Sequence, residues 1–283
     1  MEKNSDTPGR YARILLDYWF KRSFGSERWK RLLILFLQEI IPERKIEELT
    51  FVSQEHLSPS PEKKGIRIDV ECVDKDGTRF VVEMQLTQQY DFYQRAVFNS
   101  TFAIQQQMDK GSSGYDFPPV YFVGLLDFSL HKNSDRVQFR YDLRERETRR
   151  IQYIFLELPN CRRALTPEAS ILDNFCYALH NMERLPEKPL GFDSELLQLL
   201  FDSAEIANFT PQERTKYDLD MRTERDFKNQ LFYAREEGKK EGREEGRKEG
   251  REEGREEALK DISERLLAKG MTLEEVQSIL SDI

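Results

Sequence analysis

The sequence predicts an α/β fold: a mixed β-sheet flanked by helices, followed by a helical appendage and a charged C-terminal helix. Three observations predict it. Residues Ile66 to Leu86 alternate apolar and polar side chains along two arms joined by Lys75-Asp76-Gly77. Pro119 to Phe128 is a near-continuous apolar run, as expected of a strand covered on both faces. The segments around these two repeat apolar residues at helical spacing.

In chain order, Tyr11 to Phe24 reads as a helix, with Gly25 in the stop position and Ser26 placed to cap the next helix. Trp29, Leu32, Leu33, Phe36, Leu37 and Ile40 recur at spacings of three and four, one buried stripe that ends at Pro42. Leu49 to Glu55 is a short strand candidate, and His56 to Lys64 a Pro/Ser loop. Tyr90 to Met108 reads as a helix closed by Gly111, with Tyr93, Val97, Ile104 and Met108 as its core stripe. Ile151 to Leu158 gives a last strand before Pro159. The expected parts are a core over residues 1–160 and a helical appendage over 161–235. A Glu-Gly-Arg repeat over 236–257 and a small helical hairpin over 258–283 complete the chain.

The hairpin carries the chemistry. Even positions Ile66, Ile68, Val70 and Cys72 match Phe80, Val82, Met84 and Leu86 as one apolar face. A two-residue Asp76-Gly77 loop would put the two apolar faces on opposite sides. A three-residue loop with Gly77 in a left-handed conformation keeps them in register and sets Asp69 across from Glu83. Facing residues have Cβ atoms roughly 4.5–5.5 Å apart, so the two carboxylates repel unless a hard divalent cation sits between them.

The composition narrows the alternatives. Charged residues make up 34% of the 283 residues, and hydrophobic ones 38%. Cys72, Cys161 and Cys176 have no CxxC spacing, which argues against a disulfide framework or zinc and for a reducing cytoplasm. The opening MEKNSDTPGR lacks an apolar core of a leader, and no run reaches membrane-spanning length. The net charge of −8 counts against nucleic acid, but the charge is uneven. Arg10 to Arg31 holds seven basic residues against two acidic ones, and Lys132 to Arg163 nine against five. Either stretch suits phosphate or a solvated face. His56, His131 and His180 are scattered, without ligand spacing or a partner nucleophile.

Asp69 followed by Glu83-Met84-Gln85 resembles the PD-(D/E)xK nuclease signature, with glutamine where the motif has lysine. Leu15–Gly25 (LLDYWFKRSFG), the helix around Arg95, Tyr153–Asn160 (YIFLELPN), Thr210–Asp218 (TPQERTKYD) and the Glu-Gly-Arg tail are similar to the recombination-promoting nuclease family of transposase relatives. The resemblance covers most of the chain. It implies the restriction-endonuclease-like αβββαβ core and a Mg2+-dependent DNA endonuclease acting in recombination or transposition. Asp69 and Glu83 would hold the metal, joined by the Met84 carbonyl. Asp69, Glu83 and Gln85 would be the catalytic set, with Arg95 on the scissile phosphate. Such a metal stabilises charge on the phosphate and lowers the pKa of an attacking water.

Several readings stay open. Arg95 suits either the phosphate or a surface pair with Asp91. Asp17 and Lys21 suit either an auxiliary role at the site or a plain ion pair. Glu71 suits a second metal or a pair with Arg67. Glutamine orients a water but brings no charge, so the alternative is an inactive nuclease fold acting as a DNA-binding or oligomerising protein. The tail repeats a four-residue unit, with glycines at 238, 242, 246, 250 and 254. It reads as a disordered linker, a solvated helix, or a helix pairing in parallel with a second copy to give a homodimer.

Overall fold

The computed structural model describes residues 9–52, 55–56, 66–108, 116–145, 148–162, 165–188 and 194–281. The strands are β1 (Leu49–Phe51), β2 (Glu55–His56), β3 (Ile66–Arg67), β4 (Val70–Asp74), β5 (Arg79–Gln85), β6 (Val120–Leu126), β7 (Gln138–Glu145) and β8 (Thr148–Glu157). The helices are α1 (Asp17–Phe24), α2 (Lys30–Ile40), α3 (Phe92–Gln105), α4 (Ile171–Asn181), α5 (Glu195–Ala204), α6 (Pro211–Ala268) and α7 (Leu273–Ser281). The chain divides into two compact units, Met1–Arg214 and Thr215–Ile283.

The first unit holds a six-stranded sheet in the order β1-β4-β5-β6-β8-β7. The pairs β5–β6 and β6–β8 are parallel, and the others antiparallel. Mixed pairing follows from the connections: a tight turn joins β4 to β5, whereas the crossover through α3 returns β6 parallel to β5. Every residue of β6 is buried, as its unbroken apolar run requires. One face of the sheet packs Val70, Cys72, Phe80, Val82 and Met84 against the core of α1, α2, α4 and α5. The other packs Val81, Phe122 and Phe155 against Phe92, Ala96 and Ala103 of α3.

The hairpin turns as its residues demand. Asp74 N–H donates to the Thr78 carbonyl at 3.0 Å and Gly77 N–H to the Asp74 carbonyl at 3.1 Å, enclosing a three-residue loop. Gly77 sits at φ +80°, a region that costs an L-residue. The ladder pairs Val70 with Val82 and Cys72 with Phe80.

Some expected elements differ. The first hairpin arm is not continuous: the chain bends at Ile68-Asp69, and β3 pairs with β2 while β4 pairs with β5. Ile68 there joins the α3-side cluster, away from the even-numbered face of β4. The polar face of the hairpin is covered by α3, which buries Glu71 against Arg79 Nη1 at 2.6 Å. The first helix starts at Asp17, since Tyr11 forms a bridge with Glu205. Ser26 bonds the Arg22 carbonyl and caps nothing. Strand β7 was not among the expected elements, although Gln138 to Leu143 alternates polar and apolar residues as a strand with one covered face does. Helix α3 buries Phe92, Ala96, Asn99, Ser100 and Ala103; of the expected stripe Ile104 packs against this core, whereas Tyr93 and Val97 are exposed. The Pro/Ser stretch after His56 and the stop at Gly111 lie outside the described residues.

In the second unit the Glu-Gly-Arg repeat is helical, as part of α6, and a Cβ on any of its five glycines would meet nothing within 4 Å. Gly270, at φ +91°, precedes α7, and Thr272 and Glu275 form its capping box.

Replacing Gly77 by alanine forces a left-handed Cβ to within 3.1 Å of Pro118 Cγ. Gly77→Ala should cost about 1–2 kcal/mol, read as a lower urea midpoint at unchanged slope.

Candidate active site

Extending the β4–β5 register by one residue sets Asp69 opposite Glu83. The bend at Asp69 frees its carboxylate to replace a ladder partner: Oδ2 accepts from Met84 N–H at 3.0 Å. Oδ1 lies 3.3 Å from Lys21 Nζ, which also bonds Asp17 Oδ1 at 2.5 Å. Lys21 therefore joins the ion pair expected within α1 to the carboxylate site, and both readings of it hold in geometry.

Glu83 follows on β5 on the α3 side of the sheet. Its Oε1 is buried and has no hydrogen-bond partner. Burial, then the charge of Asp69, pushes the Glu83 carboxyl up to about 8, against the opposing charges of Arg95 and Lys21. Burial also raises Asp69, against the Met84 N–H and the Lys21 ammonium. Burial works against the charged form of Lys21, but the bond to Asp17 and the charge of Asp69 outweigh it and raise its pKa. Two facing carboxylates, one with an orphaned buried oxygen, are a donor set that a divalent cation completes. Among the described residues no three His, Cys, Asp or Glu side chains converge as a cage. The residues present thus fit a cation that keeps most of its water, as magnesium does.

Gln85 lies two residues on, on the same face as Glu83, and its Nε2 donates to the Thr87 carbonyl at 3.4 Å. Arg95, on α3, bonds Gln89 Oε1 and acts on Glu83 through its charge. The charge of Arg95 thus reaches Glu83, and its bond goes to Gln89 and not to Asp91, the partner in the surface-pair reading.

Two of the histidines dismissed on spacing have carboxylate partners. His180 Nδ1 is 2.6 Å from Asp127 Oδ1, whose other oxygen accepts from Arg13 Nη2 at 2.9 Å. His131 Nδ1 is 2.5 Å from Oε1 of the wholly buried Glu157. Asp127 and Glu157 stand at the ends of β6 and β8, beside the end of β5, and Asp127 N–H donates to the Gln85 carbonyl at 2.9 Å. The signal was available: each carboxylate closes an apolar run, and parallel strands bring such ends to one edge, where ligands bind.

A family model described as PD-(D/E)XK nuclease family transposase matches residues 14–234. No curated protein and no solved structure matches the chain.

With Glu83 raised from 4.5 to about 8, the metal-free fold holds a proton that the unfolded chain has lost between those values. Metal-free stability should therefore fall as pH rises through that window, by on the order of a few kcal/mol. A divalent cation held by this pair would favour its ionised form, so the Tm gain on adding Mg2+ should grow with pH. Thermal melts at pH 5 and pH 8.5, with and without Mg2+, check both, and Glu83→Gln should flatten both trends.

Proposed function

The chain belongs to the PD-(D/E)XK nuclease family of transposases, and we propose that it is a magnesium-dependent DNA endonuclease acting in recombination or transposition. The observation that carries this reading is the buried, unpartnered Oε1 of Glu83 opposite Asp69. We assign cleavage to residues 1–160, in the cytoplasm.

Asp69 and Glu83 would hold the metal, with the Met84 carbonyl as a third donor. The cation supplies charge stabilisation at the phosphate and a more acidic bound water. Gln85 has an amide that orients the attacking water by hydrogen bonds. It brings no positive charge, and Lys21, 3.3 Å from Asp69, is the cation that stands in its place. Arg95, whose charge opposes the rise of Glu83, would contact the scissile phosphate. Supercoiled plasmid with Mg2+, and EDTA as control, tests the whole set. Asp69→Asn and Glu83→Gln each remove one metal-binding charge worth several kcal/mol, so nicking should drop about a hundredfold or more. Gln85→Lys should be tolerated, and Gln85→Leu should slow cleavage. Wild-type rates in both carboxylate variants would refute the site.

For the tail we propose parallel pairing with a second copy. Interior glycine costs roughly 1 kcal/mol against alanine, yet α6 runs through five of them, each facing open space. Each glycine has Glu before it and Arg or Lys after it, so parallel helices set Glu against a base, and antiparallel ones set like against like. Sedimentation should show a dimer at low salt that weakens at high salt and is absent from a chain ending at Ala234. A full-length monomer at low salt and micromolar concentration refutes the pairing.

A further inference from the structure

Helix α3 presents large side chains to solvent as well as to the core. Tyr93 is 44% exposed and Val97, one turn on, 52%. Across from them on β7 stands Tyr141, 39% exposed, its ring meeting that of Tyr93 edge to face at 6.4 Å. Exposed aromatic rings grouped in this way mark a contact surface.

Tyr141 is anchored. Its hydroxyl is 3.1 Å from His131 Nε2, and the His131 ring stacks on Phe139 at 3.9 Å. His131 Nδ1 bonds Glu157 Oε1, while Glu157 Oε2 accepts from His131 N–H at 3.2 Å and Asn160 Nδ2 at 2.9 Å. A wholly buried carboxylate thus holds the imidazole, and the imidazole holds the tyrosine. Partial burial and the neighbouring Tyr141 push Tyr93 up to about 12, so it remains a neutral phenol that does not repel phosphate. An aromatic ring held in place presents its face at little entropic cost on binding.

The location is informative. Glu157 pairs with Leu126, and Leu126 with Gln85, so the anchor and the candidate catalytic glutamine share one row across the sheet. Two strand spacings, roughly 10 Å, separate Glu157 from Gln85; Tyr141 lies one strand further on, opposite Tyr153 and four residues from that row, and its hydroxyl reaches His131. Arg95 lies two residues from Tyr93 on α3, and Arg136 stands over the Phe139 ring at 5.4 Å. Rings with Arg136 at their rim, and Arg95 turned toward the carboxylates on another side of α3, match a strand that offers both base faces and phosphates.

We propose that Tyr93 and Tyr141 form a stacking platform for unpaired bases of the DNA strand that runs through the Asp69–Glu83 site. This rests on the nuclease reading and names its substrate class: DNA with a single-stranded segment next to the cut. Base faces reach a ring only when the base has left the duplex. The flanking arginines favour a nucleic acid over an apolar protein segment.

Fluorescence anisotropy in EDTA, where no cutting occurs, tests the platform with a labelled 20-nucleotide oligo-dT and a 20-base-pair duplex. The wild-type chain should bind the single strand several-fold tighter than the duplex. Tyr93→Ala and Tyr141→Ala should each weaken single-strand binding about tenfold and leave the duplex unchanged. Tyr93→Phe keeps the ring and should bind as wild type, which separates stacking from damage to the fold, whereas Tyr141→Phe keeps the ring but loses the bond to His131 and should bind between wild type and Tyr141→Ala. Equal losses on both ligands, unchanged affinity in the alanine variants as expected of a protein-docking patch, or no binding of the oligonucleotide would each overturn it. Strand-selective binding without cleavage in Mg2+ would instead count against the nuclease reading alone.

Discussion

The register of one antiparallel pair is the constraint on which the site depends. Strands β4 and β5 meet through three loop residues, and only a residue tolerant of φ +80° closes that loop without strain. A slip of one residue would turn Val82 and Met84 away from the core of α1 and α2 and bring Glu83 into it. Burial of the apolar face therefore specifies where the carboxylates stand. The core on one side of the sheet is the reason Asp69 and Glu83 face each other.

Around that pair, carboxylates are given polar partners one by one along the edge where the parallel strands end. Asp69 meets Lys21, Asp127 meets Arg13 and His180, and Glu157 meets His131 and Asn160. Oε1 of Glu83 is the exception, a buried oxygen without a donor. Desolvation there is costly, and a raised carboxyl pKa is its expression. An edge that satisfies its other carboxylates and leaves this one open is consistent with a family whose members cut phosphodiesters. The same edge carries the anchor of the aromatic surface, because Glu157 lies in the row of Gln85, while Tyr141 stands opposite Tyr153, four residues back along β8.

The second unit rests on local rules. Thr272 and Glu275 satisfy each other's backbone donors at the start of α7, and Gly270 takes the left-handed turn before it. In α6 the repeat spaces its charges regularly, and an i,i+3 pair joins Glu236 to Lys239. Such features are read from a few neighbouring residues, which is why the cap of α7 was legible without a fold, whereas the repeat left linker and helix both open.

Much of the first unit was legible too, wherever a residue's neighbours in sequence decide its environment. The alternation from Val70 to Asp74 and Arg79 to Gln85, the Asp76-Gly77 turn and the apolar run of β6 each determine their own strand. From the turn length alone follows the juxtaposition of Asp69 and Glu83. Tertiary structure decided the rest. Whether α3 buries Tyr93 or Phe92 depends on which stripe meets Val81 and Phe155, residues far away in the chain. Strand β7 alternates polar and apolar residues, but that it pairs with β8 at the sheet edge is decided by the fold. The partners of His131 and His180 lie 26 and 53 residues away, so only the sheet's strand order brings each imidazole to its carboxylate. Local pattern determines secondary structure because backbone hydrogen bonds and turns are short-range. Side-chain networks are set by packing, which no spacing along the chain encodes.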